Sequence, residues 1–334
     1  MGNPTFRMVQ TIPLASNGSE ADGLIASGVH GLRIVMVNLY AIEGDDGRWV
    51  LVDTGLYFSE KRIREWSSQL FGGRKPEAIV LTHGHFDHIG AVRTLAEEWD
   101  VPVYAHPMEV PYLTGKSKYP PPEPAVGRGM MAWMSPIYPR GPIDLGARLR
   151  TLPEDGSIPG LPGWRWIHTP GHTAGHVSLF RDGDRVLIAG DAFVTTRQES
   201  VFSVVTQRAE LNGPPAYYTS DWEAAKLSVQ RLAGLQPLVL ATGHGLPMTG
   251  IEATAALDAL AENFDSWARS WKGRYANQPA MTDERGLVSV PPAVRNPMPL
   301  LVASAAVAGL ATWILVKRNR RQRALDYGEP VGRF

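Results

Sequence analysis

The sequence predicts an α/β protein in which two sheets pack face to face and helices cover them. Three observations carry that expectation. Short apolar runs alternate with segments of helical period, in the succession strand, helix, strand, helix. The two halves of the chain have a similar make-up, each with its own strands and helices. Clusters of histidine and aspartate stand at the ends of the apolar runs, where loops from one sheet edge converge. A chain of 334 residues can bury a sizeable core as one large domain or two modest ones.

In order along the chain, residues 34–40 and 49–53 flank the turn-rich Gly44-Asp45-Asp46-Gly47 and predict a strand pair joined by a tight turn. Residues 59–70 carry helical period, with Ser59 as N-cap and Gly72-Gly73 as the stop. A short buried strand over 78–81, a helix over 89–99 and a strand over 101–104 follow. In the second half, 164–168, 177–180 and 186–189 read as strands. Helices are expected over 220–235 and 251–271, with a strand at 238–240 between them. The stretch 106–144 fits neither period. It holds Tyr119-Pro120-Pro121-Pro122 and an apolar, methionine-rich run from Met130 to Tyr138. Two readings stay open for it: a lid or wall of a greasy substrate pocket, or an irregular excursion packed on the domain's own core.

The catalytic domain is expected to span 1–273. From 274 to 298 the chain turns polar and proline-bearing with no apolar period, which reads as a linker. Residues 299–316 carry no charge, enough for a slightly short membrane-spanning helix, and the basic tail 317–334 begins with Lys317-Arg318-Asn319-Arg320-Arg321. A C-terminal single-pass anchor is therefore expected. With no apolar leader at the N-terminus to start export, the domain would face the cytosol. Ser304, Ala308 and Thr312 are at a spacing that would let two such helices approach, the basis for expecting a homodimer.

Basic and acidic residues are equal at 33 each, but six basic and two acidic ones lie in the tail. The body keeps 27 against 31 and offers no footprint for nucleic acid. With no cysteine, thiolate zinc sites and a cysteine nucleophile are excluded together. Histidine and carboxylate are left as metal ligands.

Thr82-His83-Gly84-His85-Phe86-Asp87-His88 is the densest such cluster. Burying three histidines and an aspartate without partners would cost several kcal/mol, and a divalent metal is the simplest group to satisfy them. Three further segments follow at strand ends: Thr169-Pro170-Gly171-His172-Thr173-Ala174-Gly175-His176, Ala189-Gly190-Asp191 and Thr242-Gly243-His244-Gly245. Together with the early Val52-Asp53-Thr54-Gly55, this series resembles the metallo-β-lactamase superfamily, most closely its binuclear branch of glyoxalase II-like and lactonase-like hydrolases. The resemblance runs from about Val37 to Leu246 and implies an αββα sandwich. It also implies that His83, His85 and His172 hold one metal, that Asp87, His88 and His244 hold a second, and that Asp191 bridges them, with Asp87 the candidate catalytic residue.

Two dications about 3.5–4 Å apart can share a water, lower its pKa towards ~7 and polarise a scissile carbonyl, so that hydroxide is available at neutral pH. Imidazole with carboxylate suits zinc, while iron and manganese also fit. Asp53, His168 and His176 are expected to support the ligands through hydrogen bonds, whereas His30 and His106 are read as surface or structural. Tyr217 and Tyr218 are candidates to reach the substrate on composition alone. The absence of cysteine and the presence of Asp191 argue against antibiotic hydrolysis. The leading expectation is hydrolysis of a small-molecule ester, thioester or lactone, amphiphilic if the apolar insertion lines its pocket. The alternatives are a mononuclear iron persulfide dioxygenase and a phosphodiester hydrolase.

Overall fold

A computed structural model describes residues 10–11, 23–127, 129–206 and 209–294. In the first half the strands are β1 (Gln10–Thr11), β2 (Gly23–Ala26), β3 (Val29–Ile34), β4 (Val37–Glu43), β5 (Trp49–Val52), β6 (Ala78–Val80), β7 (Val103–Ala105) and β8 (Leu149–Thr151). Helices α1 (Glu60–Phe71), α2 (Val92–Trp99), α3 (Val110–Leu113) and α4 (Met130–Met134) lie between them. The second half supplies β9 (Trp164–His168), β10 (Val177–Arg181), β11 (Val186–Gly190), β12 (Val239–Thr242) and β13 (Met248–Thr249), with α5 (Val201–Thr206), α6 (Trp222–Ala233), α7 (Ile251–Glu262) and α8 (Phe264–Trp267). A hairpin of β14 (Met281–Asp283) and β15 (Gly286–Ser289) follows.

Strands β2 to β8 form a seven-stranded sheet in chain order, antiparallel through β5 and parallel from β5 to β8. The six-stranded sheet runs β1-β13-β12-β11-β10-β9, and only β11 and β12 pair in parallel. The alternation of side chains along each strand makes the layers. In β5, Trp49 and Leu51 join Ile63, Trp66, Val92 and Leu95 of α1 and α2, while Val50 and Val52 join Leu179, Ile188 and Ala241 of the other sheet. In β11, Leu187 and Ala189 meet Val229 and Leu257 of α6 and α7, and Val186 and Ile188 face inward. Both faces of each sheet are therefore covered, which is why these strands read as unbroken apolar runs. The αββα arrangement expected from the sequence is present.

Several boundaries shift for identifiable reasons. Ser59 stands at the N-cap of α1, yet its hydroxyl makes no cap bond and donates instead to Thr54 O and Leu56 O. Helix α2 starts at Val92 rather than 89, because the carbonyl of His88 is taken by Thr54 N–H at 2.7 Å and by the Thr54 hydroxyl. The expected helix over 251–271 divides at Asn263, whose side chain donates to Ala259 O at 2.9 Å and competes with the helical ladder.

The expected linker is also corrected in part. Arg274 donates from its backbone and side chain to Glu123, Tyr275 donates to Pro121 O at 2.7 Å, and Leu287 N–H reaches Ser117 Oγ at 3.0 Å. Residues up to Pro292 thus belong to the same compact unit as the sandwich. Hydrogen bonds to the 106–144 insertion, with scattered apolar contacts of Tyr275, Ala280 and Val290 on the core, order this segment, and neither makes a periodic stripe for hydropathy to reveal.

The expected span 299–316, the small-residue spacing within it and the basic tail 317–334 lie outside the described residues. Among the described residues no helix is long and apolar enough to cross a membrane, which corrects the expected membrane location. The helices α1, α6 and α7 have 12 residues each, about 18 Å at 1.5 Å per residue, against roughly 30 Å of hydrocarbon.

Candidate metal centre

The turn after β6 carries His83, His85, Asp87 and His88; the β9–β10 turn carries His172; Asp191 follows β11 and His244 follows β12. The centre therefore stands across the ends of both sheets, not along one sheet edge as the sequence suggested. Backbone bonds join the sheets at this end: Val177 N–H to Thr82 O at 2.9 Å and Asn38 N–H to Gly243 O at 2.7 Å. Asn38 also donates its amide to Thr242 O and Gly245 O, holding the histidine turn after β12.

Ligand-type atoms of His83, His85 and His172 lie within 4.8 Å of one another, and so do those of Asp87, His88 and His244. Asp191 makes a third group with His83 and His88. Its Oδ2 is 3.5 Å from His172 Nε2, 3.6 Å from His88 Nε2 and 3.2 Å from His244 Nε2, so one oxygen reaches both triads. His85 Nδ1 and His172 Nε2 are 2.9 Å apart, and His244 Nε2 is 3.5 Å from Asp87 Oδ2. Tetrahedral coordination at zinc distances would set donor atoms roughly 3.3 Å apart, close to these separations. All seven residues are buried, yet His83 Nε2, His88 Nε2 and Asp191 Oδ1 have no hydrogen-bond partner among the described residues. Buried donors and acceptors are seldom left so, and a cation between them would use the lone pairs. The residues fit a metal.

Neighbouring hydrogen bonds select which nitrogen points inward. Asp53 accepts from Thr82 N–H at 2.8 Å, from the Thr82 hydroxyl at 2.7 Å and from His88 Nδ1–H at 2.8 Å, leaving His88 Nε2 as the free lone pair. Since the Thr82 hydroxyl proton is committed to Asp53, His83 Nδ1–H donates to Thr82 Oγ1 at 3.1 Å, and His83 Nε2 is likewise free. His244 donates from Nδ1 to Met36 O at 2.7 Å. Asp53 adopts φ 60°, a left-handed conformation that aspartate tolerates better than most residues. His176 accepts Asp191 N–H on Nε2 at 2.9 Å and bonds Thr169 Oγ1 through Nδ1, so it shapes the turn under Asp191. His168 is farther out. It holds Ala174 O at 2.8 Å and stacks on His106 with ring centroids 4.0 Å apart.

Burial, reinforced by the neighbouring histidines, keeps His83 and His85 well below the usual imidazole value, and burial lowers His172 to about 4. These rings are neutral at pH 7, the form in which imidazole offers a lone pair. Burial opposes charge on His88 and His244 too, but the Asp191 carboxylate beside both, with Asp53 at His88, outweighs it and raises them. Burial likewise disfavours the Asp191 carboxylate, and the same two histidines overcome that and hold it ionised.

Sequence reasoning missed two groups. Glu109 is fully buried between the histidine turns, and Tyr119 donates to it while its ring stands 4.6 Å from that of His85. Neither belongs to a motif, and only the return of the insertion onto the 82–88 turn makes them visible. That insertion packs its Val126, Ala132, Met131 and Tyr138 on the core behind the second sheet, and the Tyr138 ring also lies 5.7 Å from Phe86 of the ligand turn. Tyr218 stands 4.4 Å from His85 and 5.1 Å from Tyr217, and its buried hydroxyl has no partner among the described residues.

The family model described as the metallo-beta-lactamase superfamily matches residues 32–244. A probable metallo-hydrolase, YflN of Bacillus subtilis (strain 168), is 50% identical over 258 residues, 76% of this chain and 98% of its own length. A hydroxyacylglutathione hydrolase of Xanthomonas axonopodis pv. citri is 28% identical over 244 residues, covering 73% of this chain and 71% of its own. Among solved structures, a beta-lactamase domain protein from Burkholderia ambifaria aligns with a TM-score of 0.50 at 22% identity, over 77% of this chain and 80% of that one, a likeness of fold.

Proposed function

Because the chain belongs to the metallo-beta-lactamase superfamily, a family of metal-dependent hydrolases, we propose that it holds two divalent ions, zinc by the chemistry of its ligands, and hydrolyses an ester, thioester or lactone of a small molecule. The observation that carries this reading is Asp191 Oδ2, within 3.6 Å of nitrogens from both triads. A single ion in one triad would leave the ligand-type atoms of the other converging within 4.8 Å of one another with no cation between them. Bound together, two such ions supply a water of lowered pKa and a Lewis acid for the carbonyl.

The remaining work falls to the chain's own side chains. Asp53, the Thr82 hydroxyl and Met36 O fix the tautomers of His88, His83 and His244, so that lone pairs face inward without reorganisation. Asp87, at 8% exposure the least buried of the seven, is the carboxylate assigned to take up a proton during the reaction. Phe86, Tyr138, Tyr217 and Tyr218 form an aromatic wall beside His85, a surface that would exclude water and pack against the apolar part of an amphiphilic acyl substrate. The similarity to a hydroxyacylglutathione hydrolase supports including thioesters.

Metal analysis with a substrate panel tests the reading. Zinc-loaded protein should carry two ions per chain and turn over acyl lactones or thioesters, and Asp191→Ala should lose turnover together with one ion. One iron per chain with oxygen consumption would favour a dioxygenase, and activity confined to phosphodiesters would overturn the acyl assignment.

A further inference from the structure

We propose that Glu109 is a positioning residue for the metal centre: it sets the separation of the two histidine turns, and so holds His83, His85 and His172 in register while leaving Asp87, His88 and His244 to other supports. The inference rests on the two-metal reading above.

Four donors converge on this carboxylate, two on each oxygen. Oε2 accepts Gly84 N–H at 3.0 Å and the Tyr119 hydroxyl, and Oε1 accepts the Thr173 hydroxyl at 2.7 Å and Gly175 N–H at 3.0 Å. Gly84 lies between His83 and His85, while Thr173 directly follows His172 and Gly175 is three residues beyond it. One rigid side chain thus spans the two turns that carry this triad. Its own backbone is held by the short turn Pro107–Glu109, where His106 Nδ1 accepts Met108 N–H, and by α3. The close approach requires glycine on both turns. A Cβ at Gly84 would meet the Tyr119 hydroxyl at 2.5 Å, and one at Gly175 would meet Glu109 N and Oε1 at 2.8 Å.

The second triad has separate fixings. His88 is held by Asp53, and His244 by Met36 O, with Asn38 binding the carbonyls of Thr242 and Gly245 around it. No hydrogen bond joins Glu109 to any of these residues among those described. A glutamine at 109 keeps the shape but turns one acceptor into an NH2 group, which must face the backbone N–H of Gly84 or of Gly175, while the neighbouring hydroxyl can turn to accept. Donor against donor in a buried site is costly, and loss of such support typically weakens metal binding roughly 10- to 100-fold.

The test isolates each triad in the full chain and reads zinc binding by calorimetric titration of metal-free protein, independently of turnover. In a His244→Ala background, where only the first triad is complete, Glu109→Gln should weaken zinc binding by roughly 10- to 100-fold. In a His172→Ala background it should leave the affinity of the remaining site unchanged. Tyr119→Phe, which removes one donor and keeps the ring against His85, should give a smaller loss confined to the first background; it decides the matter if Glu109→Gln does not fold. Equal effects in both backgrounds, or none in either, would overturn the role of Glu109. A wild-type chain that binds one zinc ion would overturn the two-metal reading instead.

Discussion

Gly243 shows how far single residues constrain the centre. A Cβ at this position would overlap Asp191 Oδ1 and meet His88 Cε1 at 2.8 Å. Neither neighbour can yield without leaving the cluster, so Gly243→Ala should cost roughly 10- to 100-fold in metal affinity or turnover, with the fold retained. Parallel circular dichroism and zinc titration would check this, and normal zinc affinity in the variant would refute it. In the sequence, Gly243 was visible only as part of the Thr-Gly-His-Gly segment. Its packing against a carboxylate 52 positions earlier could not be read there, because close approach is a property of two loops and not of one motif. His83, His85, Asp87 and His88 were legible for the opposite reason: their spacing within one turn already concentrates more ligands than a core could satisfy.

At the level of elements, the ends of β7 and β9 are joined by the His106–His168 stack, ring planes 12° apart. Burial, and then the neighbouring His168, lowers His106 to about 4, and burial also lowers His168. The unfolded chain would take up these protons near pH 6.5, and the folded chain only near 4 for His106. Between those values the unfolded state binds more protons, so stability is complete above about pH 6.5 and declines as the pH falls towards 4. His106→Gln should therefore lose less stability than wild type between pH 7 and pH 5, measured as urea midpoints of the metal-free proteins. Parallel losses in the two proteins would show that the stack does not titrate as described. The strands β9, β10 and β11 followed from apolar runs alone, since both faces of each are covered. The hairpin β14–β15 did not. Its order comes from Ser117 and from the neighbouring docking of Arg274 on Glu123, contacts that leave no periodic trace.

For the whole molecule, the proposed ligands come from both sheets: four from the turn after β6 and one each from the turns after β9, β11 and β12. Metal binding should consequently stabilise the entire sandwich rather than one loop. At a free concentration 100 times the dissociation constant, one ion bound only by the folded state contributes about 2.7 kcal/mol. Chelation should lower the thermal midpoint and zinc should restore it in a concentration-dependent way; a midpoint indifferent to metal would count against a centre built across both sheets.

Taken alone, the sequence determined the α/β class, the positions of most of the central strands and helices and the histidine and aspartate segments at their ends; the assignment of seven ligands came from the family resemblance of those segments. Class and elements follow from local period and from residue chemistry within short segments. Tertiary structure decided that both sheets share the centre, which imidazole nitrogen each support leaves free, and that Glu109 and Tyr119 stand between the histidine turns. Such features depend on hydrogen bonds between segments distant in the chain, as between Asp53 and His88 or Glu109 and Gly175. A buried carboxylate signals its role only by the donors that surround it, and those donors are assembled by folding.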